Sequence, residues 1–132
     1  MPRVMLDSDV CIDVLRGKSP SIRTRLERMS PEEVAVSSIV AAELWVGVSK
    51  STQPDRSRSA INAFLAYISV LDWPAEAAPI YGDIRAQLET SGRSIGAMDL
   101  LIAAHAIHEK ATLITRNVSE FRRVSGLRVE SW

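Results

Sequence analysis

The strongest constraint on the fold of this 132-residue chain is a set of short apolar runs, each followed by polar residues and a helical pattern. Val4-Met5-Leu6 gives way to Asp7-Ser8, and Val10 to Arg16 then continues with helical spacing until Gly17. Val34-Ala35-Val36 gives way to Ser37-Ser38, either of which can cap a helix from Ile39 to about Lys50. Val70-Leu71 and Thr112 to Thr115 read as further strands, and Leu127 to Val129 as a last short one. Continuous apolar runs without in-out alternation suit strands covered on both faces. Strands alternating with helices predict an α/β fold with a mostly parallel central sheet.

The remaining punctuation fits that plan. Ser19-Pro20 reads as an N-cap followed by proline at the first helical position, ahead of an amphipathic segment, Ser21 to Met29, that carries Ile22, Leu26 and Met29 on one face. Ser51 to Arg58 is the most polar stretch and leads into a helix through Tyr67. Pro74 opens a helical region ending near Gly92, which Pro79 must kink or restart. Met98 to Lys110 is a strongly apolar helix. No repeat, low-complexity tract or linker divides the chain, so one domain over residues 1–132 is expected, large enough to bury a core. The longest apolar helical stretch, Leu100 to Ile107, is too short to span a bilayer. Cys11 is the sole cysteine, which excludes an intrachain disulfide, and the N-terminal residues lack signal-peptide organisation. These features predict a soluble protein in a reducing, cytoplasmic setting, with no membrane partner.

Most carboxylates here read as solvated surface groups. Glu89 has Arg85 and Arg93 four residues to either side, and Glu27 has Arg23 four residues before it. Glu43 differs, because its helical neighbours are Ile39, Val40, Val46 and Gly47. Asp99 is flanked in the same way by Ile95, Gly96, Ile102 and Ala103. A buried carboxylate without a partner is costly, so such a group is paired, protonated or bound to a metal. Asp7 ends the first strand, with Ser8 and Asp9 beside it, and ligands of open parallel sheets bind beyond the carboxyl ends of strands. Asn117 follows the Thr112 to Thr115 strand at the matching position, just after Thr115 and Arg116. Three carboxylates in one cleft repel unless a cation holds them ionised, and all-oxygen ligation favours Mg²⁺ or Mn²⁺ over zinc.

Plainer roles compete with this one. Asp7 or Ser8 can cap a helix, and Asp99 can sit near a helix start for dipole reasons. Neither role explains Glu43 in mid-helix. Asp9 and Asp13 read as solvated, His105 and His108 as packing or surface groups, and Trp45 and Trp73 as core. Arg93 and Arg116 divide evenly between solvated surface and phosphate contact. The 16 basic and 16 acidic residues give zero formal charge, which argues against a nucleic-acid binder unless acids gather in a site and bases at its rim.

The segments VMLDSDVCID, SSIVAAELWVG, SIGAMDLLIAAHA and TLITRNVSEFRRVSGLRVESW, in this order and over essentially the whole chain, resemble the PIN domain of VapC toxins from bacterial toxin–antitoxin systems. The resemblance implies a PIN-like three-layer α/β sandwich and a Mg²⁺-dependent endoribonuclease, with Mn²⁺ as substitute. It implies metal-binding acids at Asp7, Glu43 and Asp99. The family's fourth position falls on Asn117, which lacks the negative charge often found there, while Asp9 stands where the family commonly has Asn. Thr115 matches a hydroxyl position near the cleft, with Ser8 beside it. Arg93 and Arg116 are candidates for contact with the RNA backbone. The implied partners are a VapB-type antitoxin and a second copy of the chain. GLRVESW and the GxxIGxxD spacing look similar to a branch that cleaves initiator tRNA in the anticodon loop. Two alternatives remain at this point: a haloacid-dehalogenase-type phosphatase using Asp7 as nucleophile, and a catalytically inactive PIN-like protein-binding module.

Overall fold

The structure, a computed structural model, describes residues 2–132. Its five strands are β1 (Val4–Leu6), β2 (Val34–Ser37), β3 (Ser69–Leu71), β4 (Thr112–Ile114) and β5 (Arg128–Glu130). They form one sheet in the order β3-β2-β1-β4-β5, and every neighbouring pair is parallel. The helices are α1 (Ser8–Leu15), α2 (Pro20–Glu27), α3 (Ser38–Ser49), α4 (Pro54–Ala66), α5 (Ala78–Thr90), α6 (Ala97–Glu109) and α7 (Val118–Phe121). Every residue of β1 and β2 is buried, as their unbroken apolar runs require when helices cover both faces, while the edge strands β3 and β5 are partly exposed.

The order along the sheet fixes where a site can form. The chain builds outward from β1 through β2 to β3, then returns to place β4 and β5 on the other side of β1. The carboxyl ends of β1 and β4 therefore flank a topological switch point, where the connections diverge and leave a crevice. Register pairs Leu6 with Ile114, so Asp7 and Thr115 leave the sheet side by side. The Asp7 N–H donates to Ile114 O at 2.9 Å, one residue beyond the ladder.

Local sequence explains the helix boundaries. Ser37 is the cap of α3, its hydroxyl oxygen accepting the Ile39 N–H at 3.1 Å. Pro79 restarts the helix rather than kinking it: a 3-10 turn at Ala75–Ala77 precedes α5, and the proline lies in the first turn, where no amide hydrogen is needed. The segment predicted from Ser21 to Met29 runs from Pro20 to Glu27, and the last strand is one residue later than its apolar run suggested. Helix α7 escapes sequence reading because four residues carry no periodicity, although Phe121 anchors it as a fully buried side chain. No helix among the described residues is long and apolar enough to cross a membrane.

Candidate active site

Asp7 sits at the switch point as the N-cap of α1, in extended backbone at φ −76° and ψ 160°. Its Oδ1 accepts the Ser8 N–H at 2.8 Å and its Oδ2 accepts the Thr115 hydroxyl at 2.7 Å. It is only 4% exposed, and Thr115 is fully buried. The capping role is therefore real, but a carboxylate has about four acceptor positions and these contacts use two. Thr115 also accepts the Asn117 N–H at 3.1 Å, which ties the β4 end into the same knot.

Around this knot the structure brings the other predicted acids together. Asp9 is half-buried in the first turn of α1 and accepts the Arg116 N–H at 3.2 Å. Asp99 occupies the first turn of α6, half-buried, and makes no side-chain hydrogen bond to the described residues. Glu43 lies mid-helix on α3, and its Oε1 is buried without a hydrogen-bond partner. Asn117 begins α7 and donates its side-chain amide to Glu120. Glu120 is the acid that sequence reading missed. Its one signal, a carboxylate three residues after Asn117, lay in the helix too short to recognise.

Burial, with mutual repulsion added, disfavours the ionised form of the group. Burial pushes Asp7 up to about 6, helped by the charges of Asp9 and Asp99 and opposed by the Thr115 and Ser8 hydrogen bonds. Burial also pushes Asp99 to about 6, followed by the charges of Glu120, Glu43 and Asp9. Glu43 is raised first by burial, then by Asp7. Asp9 is raised by burial and pulled back chiefly by the Arg116 amide. Five carboxylates from α1, α3, α6 and α7 thus share one field, and among the described residues no cationic side chain forms an ion pair with Asp7, Asp9, Glu43, Asp99 or Glu120, the Arg116 charge reaching Asp9 only from its pair with Asp13.

The two arginines differ from each other. Arg116 donates to Asp13 at 2.6 Å, and Asp13 is buried rather than solvated as its sequence context suggested. This pair holds the Arg116 loop so that its backbone amide reaches Asp9. Arg93 is exposed in the turn after α5, and its guanidinium makes no ion pair or hydrogen bond with the described residues. His105 is fully buried, as expected of a packing residue, with Nδ1 at 2.8 Å from the Ser37 hydroxyl. Trp73 is partly buried and donates its ring N–H to Leu101 O on α6 at 2.9 Å, and Trp45 packs against the core from α3.

Oxygen donors alone line this cleft, which suits a hard divalent cation. Among the described residues no three acidic or histidine side chains already close around one point at ligating distance. Mg²⁺ is nonetheless commonly held by one or two carboxylates and several waters. The orphaned Glu43 Oε1 and the free acceptor positions of Asp7 and Asp99 fit that mode. An acidic crevice at the switch point of a parallel sheet defines a class of α/β proteins built to hold a divalent cation.

Comparison with known proteins narrows the class. The PIN domain family matches residues 4–127. Ribonuclease VapC2 of Rickettsia felis is 41% identical over 129 residues, covering 97% of this chain and 96% of that protein. The tRNA(fMet)-specific endonuclease VapC of Shigella flexneri is 39% identical over 132 residues, covering 100% and 99%. The crystal structure of DNA-bound VapBC from Salmonella typhimurium contains a chain that superposes with a TM-score of 0.94 at 36% identity, covering 100% and 99%. The chain belongs to the PIN-domain family, whose nucleases depend on a divalent cation.

Proposed function

We propose that this chain is a VapC-type toxin of a type II toxin–antitoxin system, an endoribonuclease that hydrolyses RNA phosphodiesters with Mg²⁺ or Mn²⁺. The observation that carries this reading is the convergence of Asp7, Glu43 and Asp99 from three separate elements into a crevice that raises the pKa of each. Asp7 and Asp99 are the first choices as direct ligands, with Glu43 ligating directly or holding a bound water. When bound, the cation supplies charge stabilisation at the phosphate and lowers the pKa of water.

The chain's own residues do the rest. Thr115 and the Ser8 amide fix the Asp7 carboxylate, and the Arg116 amide fixes Asp9. Asn117 orients Glu120 beside Asp99 in place of an acid of its own. Two relatives are named for action on tRNA(fMet), which supports initiator tRNA as the substrate, while the cut in its anticodon loop follows from the family resemblance alone. Structural neighbours from three bacteria are VapBC assemblies, which supports a VapB-type antitoxin as partner, with a homodimer as the expected toxin unit. The aspartyl-phosphatase alternative gives Glu43 no task, yet Glu43 lies within the field of Asp7. The inactive-module alternative leaves the whole acidic cluster unexplained.

The test is cleavage of total RNA and of initiator tRNA by purified protein. Cutting with Mg²⁺ or Mn²⁺, arrest by EDTA, and a loss of more than about 100-fold in Asp7→Asn with an unchanged fold are expected, as for loss of a metal-orienting group or more. Metal-independent cutting, or full activity of that variant, overturns the assignment.

A further inference from the structure

One ion pair stands directly beside the acidic crevice. Arg116 Nη1 donates to Asp13 Oδ2 at 2.6 Å, and among the described residues neither side chain has another hydrogen-bond partner. The Asp13 side chain is 12% exposed and the Arg116 side chain 63%. Asp13 lies on α1, one helical turn beyond Asp9, and Arg116 follows Thr115 directly. The pair borders a pocket of about 500 Å³ shared with Lys18, Ser19 and Trp132, and none of the five clustered acids lines that pocket.

Arg116 faces two ways. Its backbone N–H donates to both carboxylate oxygens of Asp9, at 3.2 Å and 3.4 Å, whereas its guanidinium is turned to Asp13. A carboxylate that touches a residue's own amide is within reach of the same residue's long side chain. Electrostatics favour that other contact, because Asp7, Asp9 and Asp99 share one field and arginine forks readily onto carboxylates. A guanidinium seated among these acids supplies the positive charge they lack and competes with a divalent cation for their oxygens. Asp13 is what holds it off. That carboxylate is buried, so it loses its one partner if Arg116 turns away. Helix logic gives it no other task, since it lies in the last turn of α1, where the macrodipole disfavours negative charge.

We propose that Asp13 is a positioning residue for the metal site: it holds the Arg116 guanidinium outside the crevice, so that Asp9 receives only the Arg116 amide and the acids stay open to a divalent cation. This rests on the metal-dependent ribonuclease reading and adds to it a built-in competitor and its restraint. The pair separates the two ends of one residue. The amide orders Asp9 and brings a dipole without a net charge, while the charge itself is spent on Asp13.

The test is a double-mutant cycle on metal affinity, with Asp13→Asn, Arg116→Gln and the two combined. Asn keeps the shape of the Asp13 side chain and removes its charge, and circular dichroism checks the fold. Mn²⁺ binding without RNA, read by electron paramagnetic resonance of the free ion, should weaken about tenfold or more in Asp13→Asn. Adding Arg116→Gln should restore it, whereas the same change in the wild-type background should alter it little. Equal effects of Arg116→Gln in both backgrounds would reduce the pair to long-range charge and overturn the proposal. So would a double variant that stays weak, the mark of a merely structural Asp13. In Asp13→Asn, Mg²⁺ should shift the Arg116 side-chain N–H signal in NMR spectra far more than it does in wild type; a signal indifferent to Mg²⁺ in the variant overturns the proposal too. With RNA, the Mg²⁺ concentration for half-maximal cleavage should rise in Asp13→Asn by more than the rate at saturating Mg²⁺ falls. A wild-type protein that binds Mn²⁺ in this pattern yet cuts no RNA strikes the ribonuclease reading and leaves the restraint of Arg116 standing. Absence of Mn²⁺ binding by wild type overturns both.

Discussion

Asp99→Asn should make the metal-free protein more stable at neutral pH. Folding carries this carboxylate from an ordinary value of 3.8 to about 6, mainly by burial and then by Glu120 and Glu43. A two-unit rise corresponds to about 3 kcal/mol of strain in the ionised form. The group is half-buried, so solvent screening reduces this to about 1–1.5 kcal/mol. Its place in the first turn of α6 returns about 0.3–1 kcal/mol through the helix dipole. Repulsion and burial win by a small margin, and the side chain has no hydrogen bond to lose. The variant should melt about 2–4 °C above wild type in EDTA at pH 7.5, by calorimetry or circular dichroism. The sign with pH follows from the raised folded-state pKa. The native state binds the extra proton between pH 3.8 and about 6, so wild type gains stability as pH falls through that window. The gap should therefore close near pH 4. A variant less stable than wild type at pH 7.5, or a gap that persists at pH 4, would refute the reasoning and leave Asp99 as a capping residue.

Added Mg²⁺ or Mn²⁺ should reverse this order, because a cation at about 100 times its Kd stabilises the wild-type fold by about 2.7 kcal/mol and Asp99→Asn binds it poorly; thermal shift against metal concentration measures it. His105 predicts the opposite acid response from the carboxylates: burial, with a smaller effect of His108, lowers it from 6.5 to about 4, so its stabilising neutral form is lost as pH falls through that window. His105→Gln should flatten that loss, read as the difference in urea midpoint between pH 7.5 and pH 5. Glu120→Gln should bring the Asp99 pKa down, visible in carboxyl NMR titration, and weaken activity less than Asp7→Asn does; an unmoved Asp99 titration would remove Glu120 from the cluster.

The fold was legible because the two central strands β1 and β2 are apolar runs, each followed or ended by a residue with a second task. Asp7 and Ser37 are both helix caps, so the strand-to-helix junctions could be placed to within about a residue. Glu43 was legible because a carboxylate among Ile39, Val40, Val46 and Gly47 has no role on a solvated face. Glu120 and Asp13 were not. Glu120 reaches the site through α7, whose four residues give no pattern, and it is held there by Asn117. Asp13 sits in an ordinary helical context, yet it is buried and bound by Arg116, 103 residues later. Side chains whose partners are that distant cannot be sorted into surface and site by local spacing.

Zero net charge, the observation least favourable to a nucleic-acid enzyme, resolves into position. Asp7, Asp9, Glu43, Asp99 and Glu120 converge at the switch point, where burial first and their repulsion second raise Asp7 and Asp99 to about 6. Arg16, Lys50 and Arg56 are exposed and form no ion pair with the described residues. A uniformly basic surface would hold RNA but would also neutralise the carboxylates and displace the cation they attract. Separating the charges lets exposed cations meet phosphate while the crevice stays acidic enough to attract a divalent ion. A divalent ion held there would turn the acidic crevice from a barrier to phosphate into its destination, so RNA binding at the crevice should depend on the cation and binding by the exposed cations on salt.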